Sequence, residues 1–151
     1  MITYKVGDLL EVTDGILAHG CNMRGVMGSG VARQVKAKYP GAFVAYEQDL
    51  KSGYRLGGVS FWGPGDPDTP TRFLVGNCLI QENMGSDGRK YVSYDAVDLS
   101  FQILNRIAER GGYTIHIPRI GAGLGGGDWG VVEAIINHRC KNINVIVWDL
   151  P

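Results

Sequence analysis

The sequence predicts an α/β layered fold, and three observations carry that expectation. Short runs rich in β-branched and aromatic residues alternate with segments of helical period. Two glycine clusters, at 25 to 30 and 121 to 127, each fall between a β-like run and an amphipathic helix. The 151 residues are 44% hydrophobic and 20% charged, the balance of one ordinary globular domain covering residues 1 to 151.

Taken in order, the expected strands are Ile2 to Lys5, Gly15 to Ala18, Gly58 to Trp62, Phe73 to Leu79, Tyr113 to Ile117 and Asn144 to Trp148. Helices are expected over Gly30 to Lys38, Ala42 to Ser52, Tyr94 to Glu109 and Trp129 to Asn137. The third helix has the clearest pattern. Val97, Phe101, Leu104, Ile107 and Ala108 recur at three- and four-residue steps, while Asp95, Asp98, Arg106, Glu109 and Arg110 lie elsewhere. Gly111 and Gly112 supply its C-cap. GPGDPDTPT (63 to 71) reads as an exposed loop and MGSDGRK (84 to 90) as a second turn-rich connection. No repeat of solenoid length is present.

Composition excludes several functions. Fifteen Lys and Arg offset fifteen Asp and Glu, so no positive field draws the chain to a nucleic-acid polymer. Cys21, Cys78 and Cys140 are odd in number and contain no CxxC pair, which argues against a disulfide framework and a zinc site. No metal or other cofactor is expected. MITYKVGDLL lacks a signal-peptide core and no run reaches the ~18 apolar residues of a membrane span, so a cytoplasmic, non-membrane protein is expected.

Glycine is the outlier: 23 residues, about twice the usual ~7%. Amides at a helix start are unpaired and partly positive, and glycine lets a phosphate approach them without a Cβ in the way. Two such loops could hold one diphosphate between them; the plainer reading is a pair of tight strand-to-helix turns. Neither cluster contains the GxxxxGK of a nucleoside-triphosphate loop. GAGLGG (121 to 126) satisfies GxGxxG, with Asp149 downstream, but it belongs to the last strand-helix-strand unit, whereas a dinucleotide fingerprint opens its unit.

Around the first cluster, Asn22 offers donor and acceptor for sugar hydroxyls, and His19 can exchange a proton near neutral pH. The alternative for His19 is a hydrogen-bonded core histidine. Cys21 reads as a buried thiol, and His116 and His138 as structural. Asp8 could accept from a nucleobase amino group or cap a turn, and Trp148 could stack on a base or complete the core.

Together VGDLL (6 to 10), ILAHGCN (16 to 22), RGVMGSGVA (24 to 32), YP (39 to 40), NCLIQ (77 to 81), IPRIGAGLGGGDW (117 to 129) and VIVWDL (145 to 150) resemble the macro domain family of ADP-ribose-binding modules. The resemblance implies a three-layer α/β/α domain with a central mixed sheet of about six strands. It implies ADP-ribose or its derivatives, free or protein-linked, as partner, and a monomer. By position, Asp8 and Leu9 match the adenine contacts and Asn22 the distal-ribose asparagine. Met27, Gly28, Ser29, Gly30 and Val31 match the first phosphate loop, and Ile120, Gly121, Ala122, Gly123, Leu124 and Gly125 the second. Trp148 takes the place of an aromatic beside adenine.

HGCN and PRIGAGL are similar to the branch holding terminal ADP-ribose protein glycohydrolase and the ADP-ribose 1''-phosphate phosphatases. Where that glycohydrolase has its catalytic lysine and aspartate this chain has Gln81 and Gly125, with Asp128 nearby as a possible substitute carboxylate. The phosphatase histidine resembles His19, which is kept. The branch therefore implies hydrolysis of the terminal phosphate of ADP-ribose 1''-phosphate without metal, with His19 and Asn22 as the catalytic residues. The alternatives are a non-catalytic reader, or a hydrolase acting on ADP-ribosylated protein carboxylates or O-acetyl-ADP-ribose.

Overall fold

A computed structural model describes residues 2–65, 72–85, 87, 89–123 and 125–151. Most of the expected 63 to 71 loop, two residues of the 84 to 90 turn and Leu124 lie outside the described residues.

Six strands form one mixed sheet: β1 (Ile2–Val6), β2 (Gly15–Asn22), β3 (Val59–Trp62), β4 (Phe73–Gln81), β5 (Ile115–Ile117) and β6 (Val145–Asp149). Their order is β1-β6-β5-β2-β4-β3, parallel throughout except for β3, which runs antiparallel to β4 at one edge. Helices α1 (Gly30–Lys38) and α2 (Pro40–Lys51) pack on one face, and α3 (Tyr94–Gly111) and α4 (Trp129–Arg139) on the other. A three-layer α/β/α sandwich with a six-stranded mixed sheet is the result, as expected.

Burial on both faces explains the strand sequences. Along β2, Ile16 and Ala18 point into the α3/α4 core with Phe101, Leu104 and Ile136, while Leu17 and Cys21 point toward α1 and α2 with Val35 and Tyr46. Helix α3 buries Val97, Phe101, Leu104 and Ala108, and each large apolar side chain there contributes on the order of 1.5–3 kcal/mol. Ser93 caps its N-terminus by accepting from the Ala96 amide (3.2 Å). Gly112 ends it in the left-handed conformation (φ 67°), which a Cβ would strain.

Three differences from the sequence expectation matter. β2 continues to Asn22 rather than stopping at Ala18, so His19 is a mid-strand residue and not a strand exit. Segment 9 to 11 forms an unexpected 3-10 turn that Asp8 caps through the Leu10 amide (2.9 Å). Pro40 starts α2 two residues early, its fixed φ and missing N–H being suited to a first helical turn. Among the described residues no helix is long and apolar enough to cross a membrane.

Connections place the site. After β2 the chain turns to the α1/α2 face, and after β5 to the α3/α4 face, although these strands are neighbours. Chain segments diverging from adjacent parallel strands open a crevice at their carboxyl ends.

Candidate functional site

That crevice is a cavity of about 800 Å³, within the usual size of a small-molecule site. One wall is the loop leaving β2 and the first turn of α1: Asn22, Val26, Gly28, Ser29, Gly30, Val31 and Ala32. The opposite wall is the loop leaving β5, from Pro118 to Gly123 and Gly125. Gly20 and Ile80 form the floor, and Gln81, Met84 and Gly85 close one end. Of the expected ligand-binding set, the structure thus brings together Asn22, Gly28, Ser29, Gly30, Val31, Ile120, Gly121, Ala122, Gly123 and Gly125.

The two loops are held differently. In the first, Asn22 Oδ1 accepts from the Arg24 amide (2.9 Å) and Val26 amide (3.5 Å), and its Nδ2 donates to the Val26 carbonyl (2.9 Å). Beneath it the fully buried Tyr46 hydroxyl donates to the Asn22 carbonyl (2.6 Å) and accepts from the Gly25 amide (3.1 Å). Burial, followed by the nearby Cys21, raises the Tyr46 phenol, so it stays a neutral donor. Tyr46 gives no signal in the sequence beyond its i, i+4 spacing from Ala42 on the inner face of α2.

The second loop is held by its own backbone. Gly127 N donates to Gly121 O (2.8 Å), Gly126 N to Gly123 O (3.0 Å), and Gly125 O receives the Tyr91 and Val92 amides (2.7 and 3.0 Å). A Cβ at Gly126 would lie 2.4 Å from the Arg89 carbonyl, and φ there is 72°. Glycine is required at that point for packing as well as for backbone angle. At Gly30 nothing lies within 4 Å of a built Cβ, and only the backbone angle (φ 59°) calls for glycine.

Backbone donors without a protein acceptor stand in both walls of the cavity. The first amides of α1 have no intrahelical acceptor, and Ser29, its N-cap, makes no side-chain cap bond to them. Among the described residues no acceptor takes the amides of Gly121, Gly123 or Gly125. Arg119 is the only ionisable side chain in the described lining, and it is neutralised: its Nε and Nη2 fork onto the Asp149 carboxylate (2.9 and 3.0 Å). That bond holds the Asp149 carboxyl below its ordinary range, and the guanidinium also lies over the rings of Tyr4 (5.3 Å) and Trp129 (5.7 Å).

Other expected residues stand elsewhere. Met27 is buried beneath the first loop with Cys21, Tyr46 and Leu79. Leu9 is buried against Leu17 and Val35. Asp8 and Trp148 border a second cavity of about 490 Å³ beside the 3-10 turn, where the Trp148 indole donates to His116 Nδ1 (3.0 Å). Leu124 lies outside the described residues. Asp128 caps α4 by accepting from the Gly130 amide (2.7 Å) and does not line the cavity.

His19 requires a correction. Gly20 lines the cavity, so alternation along β2 turns His19 to the other face, toward α2; Asn22 lines the cavity as well, beyond a register shift between Cys21 and Asn22. It has no exposed surface, and its Nε2 donates to Asn77 Oδ1 (2.7 Å), whose Nδ2 donates to the Ala42 carbonyl of α2 (3.1 Å). Burial drives its pKa from 6.5 down to about 4, the Asn77 bond opposing in part, so the imidazole is neutral at pH 7. Cys21 Sγ stands 3.9 Å from Nδ1 and 3.8 Å from Nε2, against the ring rather than in line with one nitrogen, so the three side chains lack the geometry of a Cys-His-Asn triad. Burial raises the thiol well above its ordinary value, and a neutral pair sealed from solvent is no activated nucleophile.

The fold and this cavity define an α/β/α module with two glycine loops around one crevice, and the chain belongs to the macro domain family. The family model, described as Macro domain, matches residues 18–136. Among relatives, the chain is 33% identical over 135 residues to a DNA ADP-ribosyl glycohydrolase of Mycobacterium tuberculosis, covering 88% of this chain but only 37% of that protein's length. It is 25% identical to an ADP-ribose 1''-phosphate phosphatase of Scheffersomyces stipitis, with 97% of this chain and 99% of the relative covered. Of solved structures, the macrodomain of M. tuberculosis DarG superposes with a TM-score of 0.79 at 29% identity, covering 98% of this chain and 97% of that one.

Proposed function

We propose that the cavity binds ADP-ribose and its derivatives, with the diphosphate clasped between the two glycine loops. The distal ribose would lie toward Asn22 and Gln81, and adenine beyond Pro118 toward Asp8 and Trp148. One observation carries this reading: two glycine loops with unsatisfied amides face each other across a single cavity whose described lining contains no carboxylate. A diphosphate matches such amide donors in charge and in reach.

The finer reading is hydrolysis of ADP-ribose 1''-phosphate to ADP-ribose and phosphate. It is supported by the end-to-end similarity to the S. stipitis phosphatase. A lysine adduct has no support, since Gln81 occupies the end of β4 and its Nε2 is spent on the Asn83 carbonyl (2.8 Å). In the proposed step a water oxygen forms the new bond to phosphorus as the bond from phosphorus to the ribose oxygen breaks. One water proton passes to the departing ribose oxygen, giving the hydroxyl, and the other stays with the phosphate. Loop amides hold the phosphoryl oxygens as charge redistributes, and Asn22 positions the ribose. His19 enters only as a positioning residue, fixing α2 and Tyr46 beneath the first loop.

Calorimetric titration with ADP-ribose, run beside phosphate release from ADP-ribose 1''-phosphate, tests both levels. Binding with release supports the phosphatase; binding without release leaves a reader. ADP-ribosylated protein and ADP-ribosylated DNA, incubated in parallel, report glycohydrolase activity instead. Absence of ADP-ribose binding sinks the whole reading.

A further inference from the structure

Two arginines stand on the loops around the cavity, Arg119 in its lining and Arg24 two residues beyond the lining residue Asn22, and they are not alike. Arg119 is cancelled by Asp149. Arg24, on the first loop, is exposed and has no carboxylate among the described residues within ion-pairing distance. Its Nε donates to Asn83 Oδ1 (2.8 Å) and its Nη2 to the same oxygen, reaching across from the β2 loop to the connection after β4.

The neighbours of both residues line the cavity: Asn22 on one side, Met84 on the other. A neutral amide therefore orients the guanidinium at that end without cancelling its charge, and the remaining N–H donors are left for another acceptor. An oriented, uncancelled guanidinium is suited to a phosphoryl group, which takes two parallel N–H bonds.

We propose that Arg24, oriented by Asn83, is the specificity-determining residue for a phosphomonoester carried on the distal ribose. The inference rests on the ADP-ribose reading, which sets the distal ribose beside Asn22 and Gln81. Arg24 then recognises the group that separates ADP-ribose 1''-phosphate from ADP-ribose, and it plays no part in holding the diphosphate. Asn83 supplies orientation; an aspartate there would compete with the ligand for the same charge.

The test compares dissociation constants for ADP-ribose and for a non-hydrolysable phosphonate analogue of ADP-ribose 1''-phosphate. The wild-type protein is expected to favour the analogue by about ten-fold or more. Arg24→Gln and, independently, Asn83→Asp should reduce that preference to within about two-fold while ADP-ribose affinity stays nearly unchanged. Asn83→Asp keeps Arg24 in place, so its result does not depend on how the first loop tolerates loss of the arginine. Equal weakening of both ligands, an undiminished preference in the variants, or no preference in the wild type overturns the proposal. So would stronger binding of an ADP-ribosylated oligonucleotide than of the phosphonate, which would make the recognised group a diester. A wild type that fails to bind ADP-ribose removes the underlying reading first, and is told apart from these outcomes by that single titration.

Discussion

The two glycine loops leave adjacent strands and face one cavity, yet they are built on opposite principles. The loop after β2 is held by side chains, Asn22 and Tyr46 bonding its amides and carbonyls from below, so its glycines are left open toward the cavity. The loop after β5 is held by backbone folding on backbone, and Gly125, Gly126 and Gly127 are packed where a Cβ has no room, while Gly123 stays open. At Gly28 the first loop has room for a Cβ; at Gly126 the second has none. The same residue type therefore predicts opposite phenotypes on the two sides of one site.

The sharpest way to break this contrast is Gly126→Ala. Positive φ and a carbonyl 2.4 Å from the new Cβ should cost about 3 kcal/mol. Calorimetry should show a melting temperature lower by roughly 10 °C. A variant as stable as the wild type would erase the distinction between the loops.

Acid should act on the first loop's foundation. His19 binds a proton more weakly folded (about 4) than unfolded (6.5), so stability is complete above pH 6.5 and falls as pH drops toward 4. At pH 5 the loss is about 2 kcal/mol from this group alone. Urea unfolding at pH 7.5 and pH 5 should reveal it, and His19→Gln should flatten the dependence. Amide exchange at pH 5 should accelerate earlier at Gly25 and Val26 than at Gly126 and Gly127.

Tyr46→Phe removes one buried hydroxyl and leaves the Asn22 carbonyl and the Gly25 amide without their partner, costing about 1–2 kcal/mol. Urea denaturation gives the figure, and loosening should be confined to the first loop. Gly28→Ala has the smallest effect on the fold, within ~0.5 kcal/mol, because its nearest neighbour is a Val26 methyl at 3.4 Å. ADP-ribose titration should nevertheless show about ten-fold weaker binding, the methyl standing where phosphate would approach.

The layered fold was legible because its signals are local. Residues of α3 repeat at helical spacing, and the strands are apolar runs bounded by glycine and proline. The loops were legible too, since clustered glycine between a strand and a helix has few other uses. His19 was misread because the end of β2 was set by long-range pairing: Cys21 and Asn22 are polar enough to resemble a loop, and only their partners Leu79 and Gln81 on β4 keep them in the sheet. Four residues of strand decide which face a side chain takes. Tyr46 left no trace for a related reason, as nothing in the α2 sequence reveals that its hydroxyl meets Asn22, 24 positions earlier. The contrast between Arg24 and Arg119 was equally hidden, because it depends on whether the facing residue is an amide or a carboxylate.

The buried trio of Cys21, His19 and Asn77 has a practical consequence. Cys21 and Cys78 sit on adjacent central strands, buried and outside any disulfide, and burial raises both thiols, Cys78 to about 12. A thiol reagent at neutral pH should therefore find them inert until the sheet itself opens, so their labelling rate is a clock for opening of the molecular centre. Run with and without ADP-ribose, that clock would register ligand binding from a position the ligand never touches.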